Sequence, residues 1–230
     1  MNWSSGKDSA LALHAVLQAG EYDVVGLLTT VNETYGRIPM HNVREELLDQ
    51  QARVIGLPLH KVHIPEQVKP EAYGSIMHRA LTQLIAEGVT HAIFGDLFLE
   101  ELKTYRETRL AELNLTGIFP LWQQDTTDLA QHFVTQGFRA ITVCVNEKQL
   151  DRSFVGREMD RSFFASLPAN VDPCGENGEY HSFVYAGPIF SQQIPVETGE
   201  IVRHTSVAEN ETFDTGFWYA DLLPLPTEPA

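Results

Sequence analysis

Short apolar runs alternate with segments of helical periodicity along the first 150 residues of the chain. The apolar runs are typical of buried parallel strands and lie at residues 23–30, 57–64, 91–95 and 139–145, with a short strand or turn at 117–120. Apolar residues at helical spacing predict helices at residues 11–19, 43–55, 70–86, 100–113 and 126–136. Most of these helical patterns end at a glycine, which commonly follows a helix C-terminus.

This alternation predicts an α/β domain over residues 1–146, with a parallel sheet and helices on both of its faces. Ligands of such sheets bind at the carboxyl ends of the strands. The polar segments expected to share that edge are residues 4–9, Thr29–Thr30, Gly95–Asp96 and Asn146. Only three residues precede Ser4, so the first strand is expected to be either missing, because the chain starts late, or vestigial. A late start is the favoured explanation.

The pattern changes over residues 147–230, where helical periodicity weakens and strand-like segments appear at 182–186, 188–194 and 200–204. Prolines at positions 168, 173, 188 and 195 interrupt this part of the chain. We therefore expect a second, smaller α+β region here, and we expect the Pro-rich residues 223–230 to fray.

Composition narrows the class of protein. The chain has 230 residues, 43% of them hydrophobic, and no apolar run long enough to cross a bilayer. No secretory signal is visible at the N-terminus. The only cysteines, Cys144 and Cys174, form no CxxC pair, which argues against a disulfide scaffold, a zinc ribbon or an iron–sulfur cluster. A reducing cytoplasm fits best.

The formal net charge is −15, from 16 basic and 31 acidic residues. Such a chain repels phosphate backbones in general, and it has no basic block, so we expect no nucleic-acid partner. ATP is not excluded, because a local phosphate cradle and Mg²⁺ can overcome the global field.

The first candidate site is S-S-G-K-D-S at Ser4–Ser9, directly before a helical pattern. Small residues let backbone amides approach a polyphosphate, the helix N-terminus adds partial positive charge, and Lys7 adds a full one. Only the G-K of a Walker A loop is present. The alternative is that Ser4, Ser5 or Asp8 simply caps the helix.

The second candidate site is the segment D-P-C-G-E-N-G-E-Y-H-S-F-V at residues 172–184. Two glycines make a tight backbone among polar side chains suited to a cationic or polar substrate: Glu176, Asn177, Glu179 and His181. The alternative is a glycine-rich hairpin turn with solvated acids.

Together the two segments resemble a known family. Residues 4–9 are similar to the S-G-G-x-D-S loop of the PP-loop ATP pyrophosphatases, with Ser5 in place of the first glycine. Residues 172–184 resemble the C-G-E-G-G-E-[YF]-x-T-F signature of the diphthine–ammonia ligase family, in the form of a branch common in bacteria, with Asn177 in place of a glycine. Further similar motifs run nearly end to end: H-N-V-R-E-E-L (41–47), F-G-D-L-F-L-E (94–100), Y-R-E (105–107), P-L-W (120–122), F-V-G-R-E (154–158) and G-P-I-F (187–190).

The resemblance implies a Rossmann-like PP-loop domain and an amidating ligase that uses ATP, with Mg²⁺, and ammonia. ATP adenylates a carboxylate with release of pyrophosphate, and ammonia then displaces AMP. The acceptor in the family's best-known role is diphthine, a modified histidine of elongation factor 2. Bacteria lack it, so the acceptor here stays open, as does a homo-oligomeric state.

Strand order and the resemblance assign residue roles. The predicted nucleotide-binding residues are Ser4, Ser5, Gly6, Lys7, Asp8, Ser9, Thr29, Thr30 and Gly95, with Asp8 as a candidate Mg²⁺ ligand. The predicted catalytic residues are Lys7, Asp96, Glu176 and Glu179. The predicted substrate-binding residues are Arg106, Glu176, Asn177, Gly178, Glu179, Tyr180 and His181.

Each of several residues also has a structural alternative. Asp96 could be a helix N-cap, and Arg106 could form a surface pair with Glu107. His41 and His181 could be structural, and Cys174 is expected to be a packed residue rather than a nucleophile.

Three other functions compete with the ligase. A sulfur-transferring tRNA enzyme should show reactive cysteine pairs and a basic surface, and the sequence has neither. A nucleotide sensor would bind ATP without turnover and would not need the segment at 172–184. A degenerate, inactive relative would fit a vestigial first strand.

Overall fold

The computed structural model of the chain describes residues 1–206 and 215–226. Its helices are α1 (Lys7–Ala19), α2 (Glu45–Ile55), α3 (Pro70–Ala86), α4 (Glu100–Ala111), α5 (Thr126–Thr135) and α6 (Arg161–Ala165), with a 3-10 turn at Arg152–Phe154. Its strands are β1 (Leu27–Asn32), β2 (Leu59–Ile64), β3 (His91–Ile93), β4 (Thr116–Ile118), β5 (Arg139–Asn146), β6 (Tyr180–Ala186), β7 (Val196–Ser206) and β8 (Thr215–Pro224).

The strands form a mixed α/β fold, as the sequence predicts. β1 pairs with β2 and β3 pairs with β4, both in parallel. The remaining strands form an antiparallel sheet in the order β6-β5-β8-β7. The prediction that β5 continues the parallel strands is wrong, since it pairs with β6 and β8 instead. β5 thus lies before the predicted boundary at residue 146 but belongs to the sheet of the C-terminal part.

Residues 1–3 lie between the two parallel pairs. The Asn2 amide donates to the Ile93 carbonyl (2.8 Å), and the Trp3 amide donates to the Leu28 carbonyl (2.7 Å). The Leu28 amide donates in turn to the Met1 carbonyl (2.8 Å), and Asn2 bridges Leu28 in parallel. The space where a first strand was expected to be missing therefore holds these three residues, and the phosphate-loop candidate follows them directly.

The main core packs α1, α2 and α5 against β5 and β6. Leu13, Leu47, Phe133, Val143 and Phe183 are fully buried in it. Two smaller apolar clusters lie beneath α3 and α4, and α3 has no fully buried residue. The phosphate-loop candidate thus lies on the densely packed side of the parallel strands.

Most predicted elements are present, and α3 has the predicted bounds. The strand predicted at 188–194 is wrong, because a turn forms there in which the Phe190 amide donates to Gly187. Helix α6 and strand β8 were not predicted. Leu223 and Pro224 belong to β8 rather than to a frayed end, and residues 227–230 lie outside the described residues. In the described ranges, no helix is both long and apolar enough to cross a membrane.

Candidate functional site

Residues 4–6 form a loop that leads from the strand-like residues 1–3 into α1, and residues 7–9 begin the first turn of that helix. Gly6 is the N-cap residue of α1, so the N-cap position has no side chain that could cap this helix. The capping alternative is therefore wrong for Ser4, Ser5 and Asp8. The Ser9 hydroxyl donates instead to the Gly6 carbonyl (2.9 Å), so it tightens the loop.

Ser5 adopts a left-handed backbone conformation, with φ of 70°. Glycine takes this conformation without steric cost, and the loop that this segment resembles has glycine here. Ser5 is fully buried, and its hydroxyl has no hydrogen-bond partner among the described residues. Its carbonyl accepts hydrogen bonds from the Val184 amide (3.0 Å) and from the side-chain amide of Gln51 (3.1 Å).

Lys7 is 1% exposed and its ammonium pairs with the Asp8 carboxylate. Burial alone would lower the pKa of Lys7, but the negative charges of Asp8 and Glu176 raise it above its usual range. The lysine therefore stays cationic, although it is buried. A full positive charge thus lies at the N-terminus of α1.

Gly95 follows β3 and lies against the first turn of α1. A β-carbon built on Gly95 would be 2.7 Å from the Asp8 carbonyl oxygen and 3.0 Å from the Ser9 amide nitrogen. Real structures do not tolerate such contacts, so only glycine allows this approach. Close packing of two backbones thus explains why glycine stands at position 95, and its role in nucleotide binding stays a prediction.

Asp96 and Arg106 form an ion pair beside this contact, with 2.6 Å between Oδ2 of the aspartate and Nε of the arginine. Burial raises the pKa of Asp96, as does the charge of Asp8, and Arg106 opposes this rise. The N-cap residue of α4 is Leu99, so the alternative role of Asp96 as a helix cap is wrong.

Arg106 does not pair with its neighbour Glu107, which instead binds Lys103 (2.6 Å). Its guanidinium lies 4.5 Å from the centre of the Phe94 ring. Arg106 and Thr30 line a cavity of about 1560 Å³ between the parallel strands and helices α3 and α4. The neighbouring Thr29 is buried, and its hydroxyl has no partner among residues that the structure describes.

The loop at 172–179 is held together by two carboxylates. Glu179 is 2% exposed and accepts hydrogen bonds from the Asp172 amide (3.1 Å), the Asn177 amide (2.9 Å) and the Asn177 side chain (3.1 Å). Asp172 accepts from the amides of Cys174 (3.1 Å) and Glu176 (3.0 Å). The carboxylate of Glu179 is thus engaged within its own loop.

The remaining residues of this segment shape its backbone. Gly175 and Gly178 have positive φ, and the Tyr180 hydroxyl donates to the Pro173 carbonyl. Burial raises the pKa of the Cys174 thiol to about 12, so this residue is a packed thiol and not a nucleophile, as the sequence predicts.

Glu176 brings the second segment to the phosphate loop. Its Oε1 accepts a hydrogen bond from the Leu97 amide (2.9 Å). Burial, together with the charges of Asp8 and Asp96, raises the pKa of Glu176 to about 7, and Lys7 opposes this rise. The structure therefore assembles three carboxylates and one ammonium from three separate segments of the chain.

His41 and His181 lie against the loop with their ring centres 4.6 Å apart. Burial lowers the pKa of His41 to about 3 and that of His181 to about 4, so both rings are neutral near pH 7. His41 Nδ1 lies 3.2 Å from the Ser182 carbonyl, and Nε2 of His181 has no partner within the described ranges.

Two residues of the site were not predicted. Ser182 accepts a hydrogen bond from the Lys7 amide through its hydroxyl (3.1 Å), although it lies inside the predicted segment. Gln51 contacts the loop from α2, and the available signal was a polar residue on the apolar face formed by Leu47, Leu48 and Val54.

The described residues contain no cluster of three or more His, Cys, Asp or Glu side chains arranged to hold a metal ion. Asp8 contacts Lys7, and Asp96 contacts Arg106. A cation here would therefore need ligands from a bound molecule as well as from the protein.

Two family models match the chain. The Diphthamide synthase N-terminal domain matches residues 1–115, and the Diphthamide synthase C-terminal domain matches residues 125–211. Both candidate segments lie inside these ranges.

Individual relatives are more distant in sequence. The chain is 24% identical over 230 residues to a Diphthine–ammonia ligase of Danio rerio, covering 89% of this chain and 88% of that protein. It is 26% identical to one of Bos taurus, covering 89% and 85%. A Schizosaccharomyces pombe protein of the same name is 32% identical, but the match covers 46% of this chain and 19% of that longer protein.

Proposed function

The chain belongs to the diphthamide synthase family, and on that premise we propose that it is an ATP-dependent carbon–nitrogen ligase. It adenylates a carboxylate, releases pyrophosphate and then transfers ammonia to form an amide. The observation that carries the proposal is the buried, cationic Lys7 at the N-terminus of α1, facing Asp8 and Glu176. The names of the relatives support the same reaction class.

Residues 4–9 bind the polyphosphate of ATP. The helix N-terminus and Lys7 supply positive charge, and the buried hydroxyl of Ser5 and Nε2 of His181 are polar atoms beside the loop without a partner in the described part of the chain. An acceptor carboxylate oxygen attacks the α-phosphorus of ATP. The bond between that phosphorus and the oxygen that bridges the α- and β-phosphates breaks, and pyrophosphate leaves. Lys7 stabilises the charge that develops on the departing pyrophosphate.

A carboxylate from the protein would hold Mg²⁺ together with the phosphates of the bound ATP. Mg²⁺ sites in phosphate-transferring enzymes commonly use one or two carboxylates plus substrate phosphates. Asp8 fits this role, because it lies in the first turn of α1 beside Lys7. When bound, the ion neutralises phosphate charge.

Glu176 accepts the proton in the second step. Ammonia attacks the acyl carbon, AMP leaves, and the new nitrogen must lose a proton. A carboxylate with a pKa of about 7 is suited to proton transfer near neutral pH. Asp96 orients ammonia from the opposite side, and Glu179 supports Glu176 by holding the shared loop.

Arg106 binds the acceptor carboxylate. Its guanidinium has five donors, so it can contact both Asp96 and a substrate carboxylate. Arg106 also lines the cavity of about 1560 Å³, but residues 4–9 and 172–181 do not, so the cavity does not identify the acceptor as diphthine, another protein-borne carboxylate or a small molecule. The acceptor is bound beside the loop at 172–179, where Asn177, Gly178, Tyr180 and His181 complete its surroundings.

We also propose that residues 1–3 serve as the central strand of a five-stranded parallel sheet in the order β2-β1-(1–3)-β3-β4. Their hydrogen bonds to β1 and β3 support this arrangement. Helices then cover both faces, and the phosphate loop begins at the carboxyl end of the central strand, where ligands of such sheets bind.

The decisive test follows the products of ATP·Mg²⁺ in the presence of ammonium and an extract of the source cell. We expect AMP and pyrophosphate from the wild-type protein, and a loss on the order of 100-fold or more in Lys7→Ala. Lys103→Ala is the matched control, because it removes a lysine that pairs with Glu107 at the surface of α4.

The products of ATP distinguish the ligase from the alternative functions. ADP and phosphate as products would contradict the proposal. Tight ATP binding without turnover in extracts that contain carboxylate acceptors would support the nucleotide-sensor alternative instead.

A further inference from the structure

Gln51 is a fully buried amide on α2 whose hydrogen bonds reach two separate segments of the chain, residues 3–5 and β6. Its Oε1 accepts a hydrogen bond from the Trp3 indole (2.8 Å). Its Nε2 donates to the Ser5 carbonyl (3.1 Å) and to the Val184 carbonyl (2.7 Å). Both amide hydrogens are thus used, which a buried amide requires.

The contact with Ser5 falls at the strained point of the phosphate loop. Ser5 is left-handed, and its own hydroxyl has no partner among the described residues, so the side chain does not hold this conformation. The Ser5 carbonyl, by contrast, accepts hydrogen bonds from Gln51 and from the Val184 amide (3.0 Å). Gln51 therefore binds the peptide group that links Ser5 to Gly6.

The orientation of that peptide decides where the Gly6 amide points. A trans peptide is planar, and its carbonyl and N–H groups point in opposite directions. With the Ser5 carbonyl held on Gln51, the Gly6 N–H points the opposite way and donates only a long hydrogen bond of 3.4 Å to the Ser4 hydroxyl. A stronger acceptor, such as a phosphate oxygen, could replace this long bond.

We propose that Gln51 is a positioning residue of the nucleotide site. Its amide fixes the Ser5–Gly6 peptide so that the Gly6 N–H faces the polyphosphate, and it ties the loop to β6 through Val184. The inference rests on the proposed function only for the identity of the ligand, because the hydrogen bonds belong to the protein itself.

The test compares Gln51→Met with Val54→Ala. Methionine keeps the length and apolar volume of the side chain but removes all three hydrogen bonds. Val54 is buried on the same helix and contacts the apolar core, so its truncation lowers Tm without touching Gln51's partners. Both variants are compared at equal distance below their own Tm.

Two measurements separate positioning from stability. For Gln51→Met, we expect the Kd of Mg·ATP to rise on the order of tenfold or more, and in turnover assays we expect KM for ATP to rise more than kcat falls. For Val54→Ala, we expect the Kd to change within about twofold. In the unliganded protein, hydrogen exchange of the Val184 amide should accelerate by a similar factor in Gln51→Met only, because that amide donates to the Ser5 carbonyl.

Equal changes in both variants would overturn the proposal. If the wild-type protein binds no Mg·ATP, the proposed function is wrong. The hydrogen exchange of the Val184 amide still tests whether Gln51 holds the Ser5 carbonyl in place. Gln51→Asn keeps an amide that is one methylene shorter, and it provides a milder change if Gln51→Met does not fold. We expect it to shift both measurements in the same direction by smaller factors.

Discussion

At the scale of single residues, the proposed mechanism depends most on Glu176. It is partly buried and lies within the electrostatic reach of Asp8, Asp96 and Lys7. The two other carboxylates and the loss of water favour its neutral form, and the lysine favours its charged form. Because the first effects dominate, Glu176 titrates near neutral pH, where a small change of pH alters its charge.

Glu176→Gln tests this titration through stability. The folded-state pKa is raised from 4.5 to about 7, so between these values the folded state binds more protons than the unfolded state. The stability of the wild-type protein should therefore fall as pH rises through this window, relative to the variant. Urea unfolding of both proteins at pH 5 and pH 8 measures the difference, and His41 and His181 cancel because both proteins contain them.

The same substitution should change the pH profile of amide formation. At a constant concentration of free ammonia, the wild-type rate should rise with pH through about 7 as Glu176 ionises, and Glu176→Gln should lose on the order of 100-fold in kcat together with this rise. Glu107→Gln, at the surface of α4, is the control. A variant that keeps this rise would show that another group accepts the proton.

At the scale of secondary-structure elements, the contact between the end of β3 and the start of α1 sets the phosphate loop in place. Gly95 touches the backbone of Asp8 and Ser9, so the two elements approach more closely than any side chain would allow. The position of Lys7 therefore depends on a residue that carries no chemistry of its own.

Gly95→Ala should push the first turn of α1 away from β3. Because the added carbon would lie 2.7 Å from the Asp8 backbone, we expect a loss of about 1–3 kcal/mol in the free energy of unfolding and weaker ATP binding. Gly74→Ala is the matched control, since nothing lies within 4 Å of its β-carbon in α3, and it should stabilise the protein by about 0.5–1 kcal/mol. Equal ATP affinity in both variants would contradict the prediction.

Elements with strong local signals could be predicted from the sequence, and those set by distant partners could not. The helical periodicity of α3 is local, so its bounds were predicted correctly. β5 was recognised as a strand, but its antiparallel partners β6 and β8 follow later in the chain, and apolar content does not identify them. β8 ends at Pro224. Its last two residues were assigned to a frayed end, because prolines are frequent from that point of the sequence onward.

The site divides in the same way. Both motifs were visible because their residues are contiguous. Their meeting through Glu176 was not predicted, because the edge expected from the strand order did not include residues 172–184. Gln51 was not found because its role comes from Trp3, Ser5 and Val184, which meet only in the folded chain. The catalytic role of Glu179 stays a prediction, and its bonds within the loop point to support rather than to contact with substrate.

At the scale of the whole molecule, the antiparallel sheet must be held against the parallel strands to complete the site. Val184 on β6 bonds to Ser5, and Ser182 bonds to Lys7. Farther from the site, Asp221 on β8 accepts hydrogen bonds from Arg37 (2.9 Å) and from Nε of Arg44 (3.0 Å), which precede α2. The chain has 16 basic residues against 31 acidic ones, and two of the basic residues bind this carboxylate.

Asp221→Asn should weaken this attachment without dividing the molecule into separately unfolding parts. Burial alone would raise the pKa of Asp221, but the hydrogen bonds of Arg44 and Arg37 lower it overall. The carboxylate therefore contributes stability that is present above its ordinary pKa of 3.8 and is lost as pH falls below it. We expect the variant to lose about 1–3 kcal/mol at pH 7 and the difference from wild type to shrink in strong acid.

Urea unfolding followed by both far-UV circular dichroism and tryptophan fluorescence measures this loss. The two signals should coincide in the wild type and in Asp221→Asn, because the bonds of Ser5 and Lys7 to β6 remain. Glu197→Gln, an exposed acid on β7 of the same sheet, should change stability little. Two separate transitions in Asp221→Asn would instead mean that this ion pair, and not the contact at the phosphate loop, couples the antiparallel sheet to the parallel strands.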